Sequence, residues 1–378
     1  MTRIRLGMVG GGNDAFIGGV HRIASRIDDR FELVAGALSS TPEKSAASAK
    51  ALGIARSYGS FEEMAQAEAA REDGIEAVSI VTPNHVHAAA AKAFLAQGIH
   101  VICDKPLTST MEDATELERA VAEAQALFIL THNYTGYPMI RQARDMVAKG
   151  ELGAIRIVQA EYPQDWLTAP VETEGVKQAQ WRTDPARSGA GGSIGDIGTH
   201  AHNLACFVTG LQVESLAADL QCFGAGRTLD DNAHMMLRFE GGARGMLWSS
   251  QVAPGNENAL KLRVYGEKGG LEWCQESPNA LWFTPHGEPT RLLTRNGAGA
   301  TQASQSVSRI PSGHPEGYLE GFATIYNEAA DAIRAVQGGA ERGAAMGNLP
   351  GIAAGMDGMR FISACVASAG NDAAWTKL

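Results

Sequence analysis

IRLGMVGGGNDAFIGGVHR, residues 4–22, joins a short apolar strand to three consecutive glycines and then to a helix. A strand ending in Gly10-x-Gly12 lets the backbone approach a pyrophosphate, and the next helix aims its N-terminal amides at the same charge. The strict six-residue spacing puts its third glycine at Ala15. Gly18 is therefore read as the helix-packing glycine, with Asn13, Asp14, Ala15 and Phe16 lengthening the loop. Outward from this turn, strand and helix signals alternate. Strands are predicted over 31–38, 77–81, 100–103 and 127–131, and helices over 41–52, 86–97 and 109–125. Gly53 and Gly98 close the first two of these helices, and Ser109 with Glu112 forms a capping box for the third. Such alternation predicts a Rossmann-type, doubly wound parallel sheet, an α/β fold that binds ligands beyond the carboxyl ends of its strands. Those ends carry Gly10–Gly12, Ser39-Ser40, Thr82–His85, Asp104–Pro106 and His132-Asn133.

Beyond about residue 135 the pattern changes. After a helix over 139–149, strands dominate: 155–162, 216–223, 233–239, 244–251, 260–265 and 281–283. With a helix near 197–208 they predict a C-terminal α+β domain built on an open, mainly antiparallel sheet. Residues 297–308, rich in Gly, Ala, Ser and Gln, read as a mobile loop. Helices return over 318–336 and 353–367. The expected division is a dinucleotide-binding domain over 1–133 and a substrate-binding and oligomerisation domain over 134–378, with the last helix packing back on the first domain.

Bulk properties narrow the function. A net charge of −10 disfavours nucleic acid, whose phosphates need a basic surface. No apolar run approaches the roughly 20 residues of a membrane helix. The N-terminus shows no apolar segment with a cleavage site, and five scattered cysteines form no C-x-x-C, so reduced thiols, a cytoplasmic location and no metal site are expected. Asp230-Asp231-Asn232 is read as a strand-entry turn. At the adenosine end, Ser39 and Ser40 with Lys44 close behind offer hydroxyls and an ammonium for a 2′-phosphate, and no carboxylate repels one. NAD or NADP is expected, with a lean to NADP.

In this order, the glycine loop, Thr82-Pro83-Asn84-His85, Asp104-Lys105-Pro106, Asn133-Tyr134 and Gly195-Asp196-Ile197-Gly198-Thr199-His200 resemble the Gfo/Idh/MocA oxidoreductases. The likeness runs over nearly the whole chain. It implies a nicotinamide cofactor, a sugar or cyclic polyol substrate, and a dimer or tetramer built through the open sheet. The family's E-K-P lysine corresponds to Lys105, with Asp104 standing for the usual Glu. Its D-x-x-x-H pair corresponds to Asp196 and His200. For the cofactor the resemblance and the strand ends together mark Gly10, Gly12, Asn13, Phe16, Ile17, Gly18, Ser39, Ser40, Lys44, Thr82, Pro83, Asn84, His87, Asp104, Lys105, Pro106 and Asn133.

The chemistry of alcohol oxidation suits these residues. A base near neutral pKa removes the hydroxyl proton while hydride leaves the same carbon, which favours His200. Asp196, four residues earlier, would share its helix face and orient the imidazole. Lys105 would donate to the substrate oxygen. Tyr134, Trp166, Trp181 and Arg182 are read as substrate contacts, aromatic faces for C–H surfaces and a guanidinium for oxygen. His85 and His87, after a strand end, read equally well as lining the nicotinamide pocket or as cap or loop residues, and His314 reads as a loop residue entering a helix or as its cap. Two other functions fit parts of the pattern: a glycosidase that oxidises a sugar transiently on bound NAD, and a non-catalytic ligand sensor. Net cofactor turnover discriminates the first, and loss of Lys105, Asp196 and His200 would have marked the second.

Overall fold

The computed structural model describes residues 2–13 and 15–378; Asp14, counted in the glycine loop above, lies outside the described residues. The chain forms two compact units, Met1–Asn133 with Leu319–Met356, and Tyr134–Tyr318 with Asp357–Leu378.

The first unit holds six parallel strands: β1 (Ile4–Gly10), β2 (Phe31–Ala37), β3 (Arg56–Ser57), β4 (Ala77–Val81), β5 (His100–Cys103) and β6 (Phe128–Leu130). Their order is β3-β2-β1-β4-β5-β6, so the winding reverses between β1 and β4. Every residue of β4 and β5 is buried, as a sheet covered on both faces requires. The sequence reading missed the helix Phe61–Ala69, although Ser60 Oγ accepts Glu63 N at 3.2 Å and Glu63 reaches back to Gly59 N at 2.9 Å, a reciprocal cap. The cap near residue 110 sits one residue later than predicted: Thr110 Oγ1 accepts Asp113 N at 3.1 Å. The helix Tyr318–Gln337, assigned from sequence to the second domain, belongs to the first unit from Leu319 onward. Its Tyr326 hydroxyl meets His21 Nδ1 and Ser79 Oγ, both at 2.8 Å, and its Arg334 donates to Glu76 at 2.6 Å.

The second unit is built on β7 (Ile155–Pro163), β8 (Val213–Gln221), β9 (Asn232–Phe239), β10 (Arg244–Ser250), β11 (Lys261–Gly266), β12 (Gly269–Cys274), β13 (Ala280–Pro285), β14 (Arg291–Thr294) and β15 (Thr376–Lys377). The order is β14-β13-β12-β11-β7-β10-β9-β8-β15; β7 and β10 pair parallel and the other pairs are antiparallel. Burial alternates along β9 and β10, the signature of a sheet packed on one side. Its other side leaves Ile157, Met236, Met246, Trp282 and Leu292 exposed. The predicted mobile loop is tied down instead. Buried Gln142 accepts Thr301 N at 2.7 Å and donates to Gly299 O at 3.2 Å, and Gln302–Gln305 forms a helical turn. The last helix, Ile352–Ala369, enters the second unit at Asp357, where Phe361 stacks on His202 at 4.5 Å and Ser368 accepts Ala218 N at 2.9 Å. Among the described residues no helix is long and apolar enough to cross a membrane.

Candidate active site

In the first unit the glycine turn lies where the winding reverses, with Gly10 in register with Val81. Gly10 and Gly11 take φ of +75° and +68°, which other residues rarely adopt. A Cβ at Gly12 would stand 2.9 Å from Leu38 O, so the turn has no room for side chains. A Cβ at Gly18 would stand 2.3 Å from Gly11 Cα, so the helix Phe16–Ile27 rests directly on the turn. Arg22, one turn further, donates to Gly11 O. The helix begins at Ala15 without a side-chain cap, leaving its positive end to an anion. Asn13 and Phe16 are exposed at this end, whereas Ile17 packs on a cluster with Met8, Leu38 and Val81. Ile17 thus shapes the turn from beneath.

Two buried polar atoms at the same sheet edge have no hydrogen-bond partner among the described residues, Thr82 Oγ1 and Asn133 Nδ2. Orphaned buried groups are rare and need a partner such as ordered water or a ligand. With the glycine cradle they fit a dinucleotide. Ser39 is half-buried after β2, and its Oγ accepts Thr41 N at 3.4 Å; Ser40 and Lys44 are exposed beside it. Pro83 is half-buried, Asn84 buried and His85 exposed.

His87, marked from sequence as a cofactor contact, is fully buried, with Nε2 3.0 Å from Thr82 O and Nδ1 2.8 Å from Pro106 O; a neutral ring donates to one of these carbonyls. It sits between two turns of the sheet edge, and burial holds its pKa below the usual value. Asp104 Oδ1 accepts Lys105 N at 2.9 Å and Thr131 Oγ1 at 3.0 Å, which anchors the turn carrying half-buried Lys105 and the cis Lys105–Pro106 bond. Pro106 itself is buried.

In the second unit Asp196 stands on a π-helical turn, Ile194–Gly198, and His200 follows in the α-helix Thr199–Thr209. The expected continuous α-helical stack is therefore replaced by a wider turn under the carboxylate, a feature that recurs at functional sites. Asp196 Oδ2 accepts Gln251 Nε2 at 2.9 Å and Arg182 Nε at 3.1 Å. The Arg182 guanidinium lies 4.4 Å from the Trp181 ring centre and 6.0 Å from that of Trp166. Gln251 was missed from sequence; its signal is its place at the end of β10, where a buried polar residue needs a partner. His200 is buried against the edge of the Tyr134 ring, 4.9 Å between centres. Tyr162 donates to Asn258 Oδ1 at 2.7 Å, so Tyr134 donates to Tyr162, at 2.5 Å. Tyr134, expected to touch substrate, has its hydroxyl committed to this chain and frames His200. Burial raises the pKa of both tyrosines, which keeps the pair neutral.

Residues 4–132 match the family model described as an oxidoreductase family with an NAD-binding Rossmann fold, and residues 140–272 match the GFO/IDH/MocA C-terminal domain. The crystal structure of an oxidoreductase from Sinorhizobium meliloti is 61% identical, with a TM-score of 0.90 and 100% of both chains covered. An inositol dehydrogenase homologue from Azotobacter vinelandii, complexed with NADH and myo-inositol, is 37% identical with a TM-score of 0.92, covering 100% of this chain and 98% of that one. The uncharacterised oxidoreductase YfiI of Bacillus subtilis is 36% identical over 99% of this chain and 96% of that protein. With both of its parts matched, an NAD-binding Rossmann part and the companion C-terminal domain, the chain belongs to the Gfo/Idh/MocA oxidoreductase family.

Proposed function

We propose that this oxidoreductase is an NAD(P)-dependent dehydrogenase of a sugar or cyclic polyol, inositol-like in its ring of hydroxyls. The carrying observation is the Asp196 carboxylate, fixed by Gln251 and Arg182 one turn ahead of buried His200. The complex of the Azotobacter vinelandii homologue with NADH and myo-inositol supports the substrate class. Met1–Asn133 serves as the dinucleotide-binding part, and Tyr134–Tyr318 carries the groups for substrate.

The bound dinucleotide supplies the carbon that takes or returns the hydride. His200 accepts the hydroxyl proton as the carbonyl forms, and the Asp196 carboxylate favours the resulting imidazolium. Lys105 donates to the substrate oxygen and stabilises developing negative charge. Arg182, Trp181 and Trp166 orient the ring. Ser39, Ser40 and Lys44 favour NADP. The exposed apolar residues of the nine-stranded sheet are assigned to a dimer or tetramer contact, in a cytoplasmic protein.

The test is a screen of inositols and sugars with NAD and NADP, following absorbance of the reduced nicotinamide. Lys105→Ala should abolish turnover while NADH binding, read by fluorescence titration, persists. Unchanged turnover in that variant would remove Lys105 from the mechanism.

A further inference from the structure

Asp230 is a buried carboxylate that the proposed reaction does not use. It stands just before β9, with 8% of its surface exposed, and everything it holds lies in one short segment. Its Oδ1 accepts Gly192 N at 2.6 Å, and its Oδ2 accepts Ser193 Oγ at 2.7 Å and Ile194 N at 2.9 Å. Its carbonyl oxygen takes Ser193 N at 2.7 Å. One residue thus satisfies three consecutive amides at the start of a helix, where backbone donors have no partner within the helix. The approach is built in: a Cβ at Gly192 would lie 2.0 Å from Asp230 O.

The gripped residues are the footing of Asp196. Gly192 O accepts Asp196 N at 2.9 Å, and Ile194 opens the π-helical turn on which Asp196 stands. A second route leaves the neighbouring residue: Asp231 O accepts Gln251 N at 2.8 Å, and the Gln251 side chain holds Asp196 Oδ2. Backbone and carboxylate of Asp196 are therefore both fixed from the Asp230-Asp231 turn.

We infer that Asp230 is a positioning residue for the reaction: its carboxylate fastens Gly192, Ser193 and Ile194, and through them sets where Asp196 points. Its role in turnover rests on the dehydrogenase reading above; its hold on the turn does not. Asparagine has the same shape but offers one acceptor oxygen where three donors converge, and its amide would face a donor. In Asp230→Asn the π-helical turn loosens while the sheet stays intact.

Hydrogen exchange read by mass spectrometry decides this on the full-length chain. Peptides over residues 190–198 should exchange at least about tenfold faster in Asp230→Asn, the scale of losing one charge-assisted hydrogen bond, with β7 to β14 unchanged. Ser193→Ala, which keeps the backbone bonds, should show a smaller acceleration in the same peptides, and it decides the matter alone if Asp230→Asn does not fold. On a polyol that the wild type oxidises, Asp230→Asn should lower kcat by about tenfold or more with the KM for the dinucleotide within twofold. Unchanged exchange over 190–198, or acceleration spread across the whole sheet, overturns the inference. A wild type that oxidises no polyol ends the dehydrogenase reading, and the exchange data still decide the hold of Asp230 on the turn.

Discussion

Gln251 donates its side-chain amide to Asp196 Oδ2 at 2.9 Å while its own backbone N–H is held by Asp231 O at 2.8 Å. Gln251 is 2% exposed, so the bond works in a medium that strengthens it. The carboxylate is thereby fixed from a different element than the one carrying it, which is how a rigid site is usually supported. Gln251→Leu should lower kcat on the polyol by about tenfold, leaving dinucleotide binding unchanged. Gln251→Glu should be worse at neutral pH, because a second carboxylate against Asp196 repels its charge and raises its pKa. Steady-state kinetics of the two variants give the comparison, and equal rates would take Gln251 out of the site.

Gly18 and its neighbour Gly19 make a paired test of the glycine turn. Gly18→Ala places a methyl 2.3 Å from Gly11 Cα, and backbone must move; overpacking of this kind costs about 1–3 kcal/mol. Among the described residues Gly19→Ala meets only Arg22 Nη2, at 3.8 Å, and should stabilise the helix by up to about 1 kcal/mol. The expected result is a lower melting temperature and weakened NADH binding for the first variant alone.

The fold is legible in the sequence where one local rule dominates. β1, the glycine turn and the alternation after it were legible because buried parallel strands are continuous apolar runs bounded by glycine and polar turns. The open sheet was legible from strand density, but β12 and β14 were not: one opens with Gly269-Gly270 and the other is a four-residue edge. The segment 297–308 looked mobile because its anchor, Gln142, is more than 150 residues away in the chain. The same limit hid Asp230 and Gln251, whose partners lie 36 to 55 residues off. Composition says where a turn is, and only the fold says what it grips. His87 shows the converse: its place after a strand end suggests cofactor contact or a cap, and only the fold shows it buried against the carbonyls of Thr82 and Pro106.

The Ser39, Ser40 and Lys44 group makes a prediction on cofactor choice. Ser40 follows β2 and Lys44 stands in the first turn of the helix Pro42–Leu52; both are exposed, and Glu43 lies between them. Ser40→Asp should repel a 2′-phosphate and favour NAD, and Lys44→Ala should raise the KM for NADP about tenfold with little change for NAD. KM values for both cofactors across the three proteins test it, and an equal effect on NAD and NADP would withdraw the preference.

Stability should fall on acidification through one class of residue. His21, His100 and His202 each have a pKa lowered from 6.5 to about 4, in every case chiefly by burial. A depressed folded pKa means that the unfolded chain takes up the proton first. The stability each neutral imidazole contributes is thus complete above pH 6.5 and is lost as pH falls towards 4, on the order of 3 kcal/mol apiece. Asp230 opposes them. Burial raises its carboxyl from 3.8 to about 6, so its contribution is present below pH 3.8 and lost as pH rises through 6. Three histidines outweigh one carboxyl, and urea unfolding should show a net loss between pH 6.5 and 4.5. His202 isolates the cause, because desolvation is the whole of its shift and its ring stacks on Phe361 at 4.5 Å. His202→Phe keeps a ring against Phe361 and removes the proton acceptor, so its stability should fall less steeply with acid than that of the wild type. Parallel slopes for the two proteins would mean that His202 is protonated in the folded state without cost, contrary to its burial.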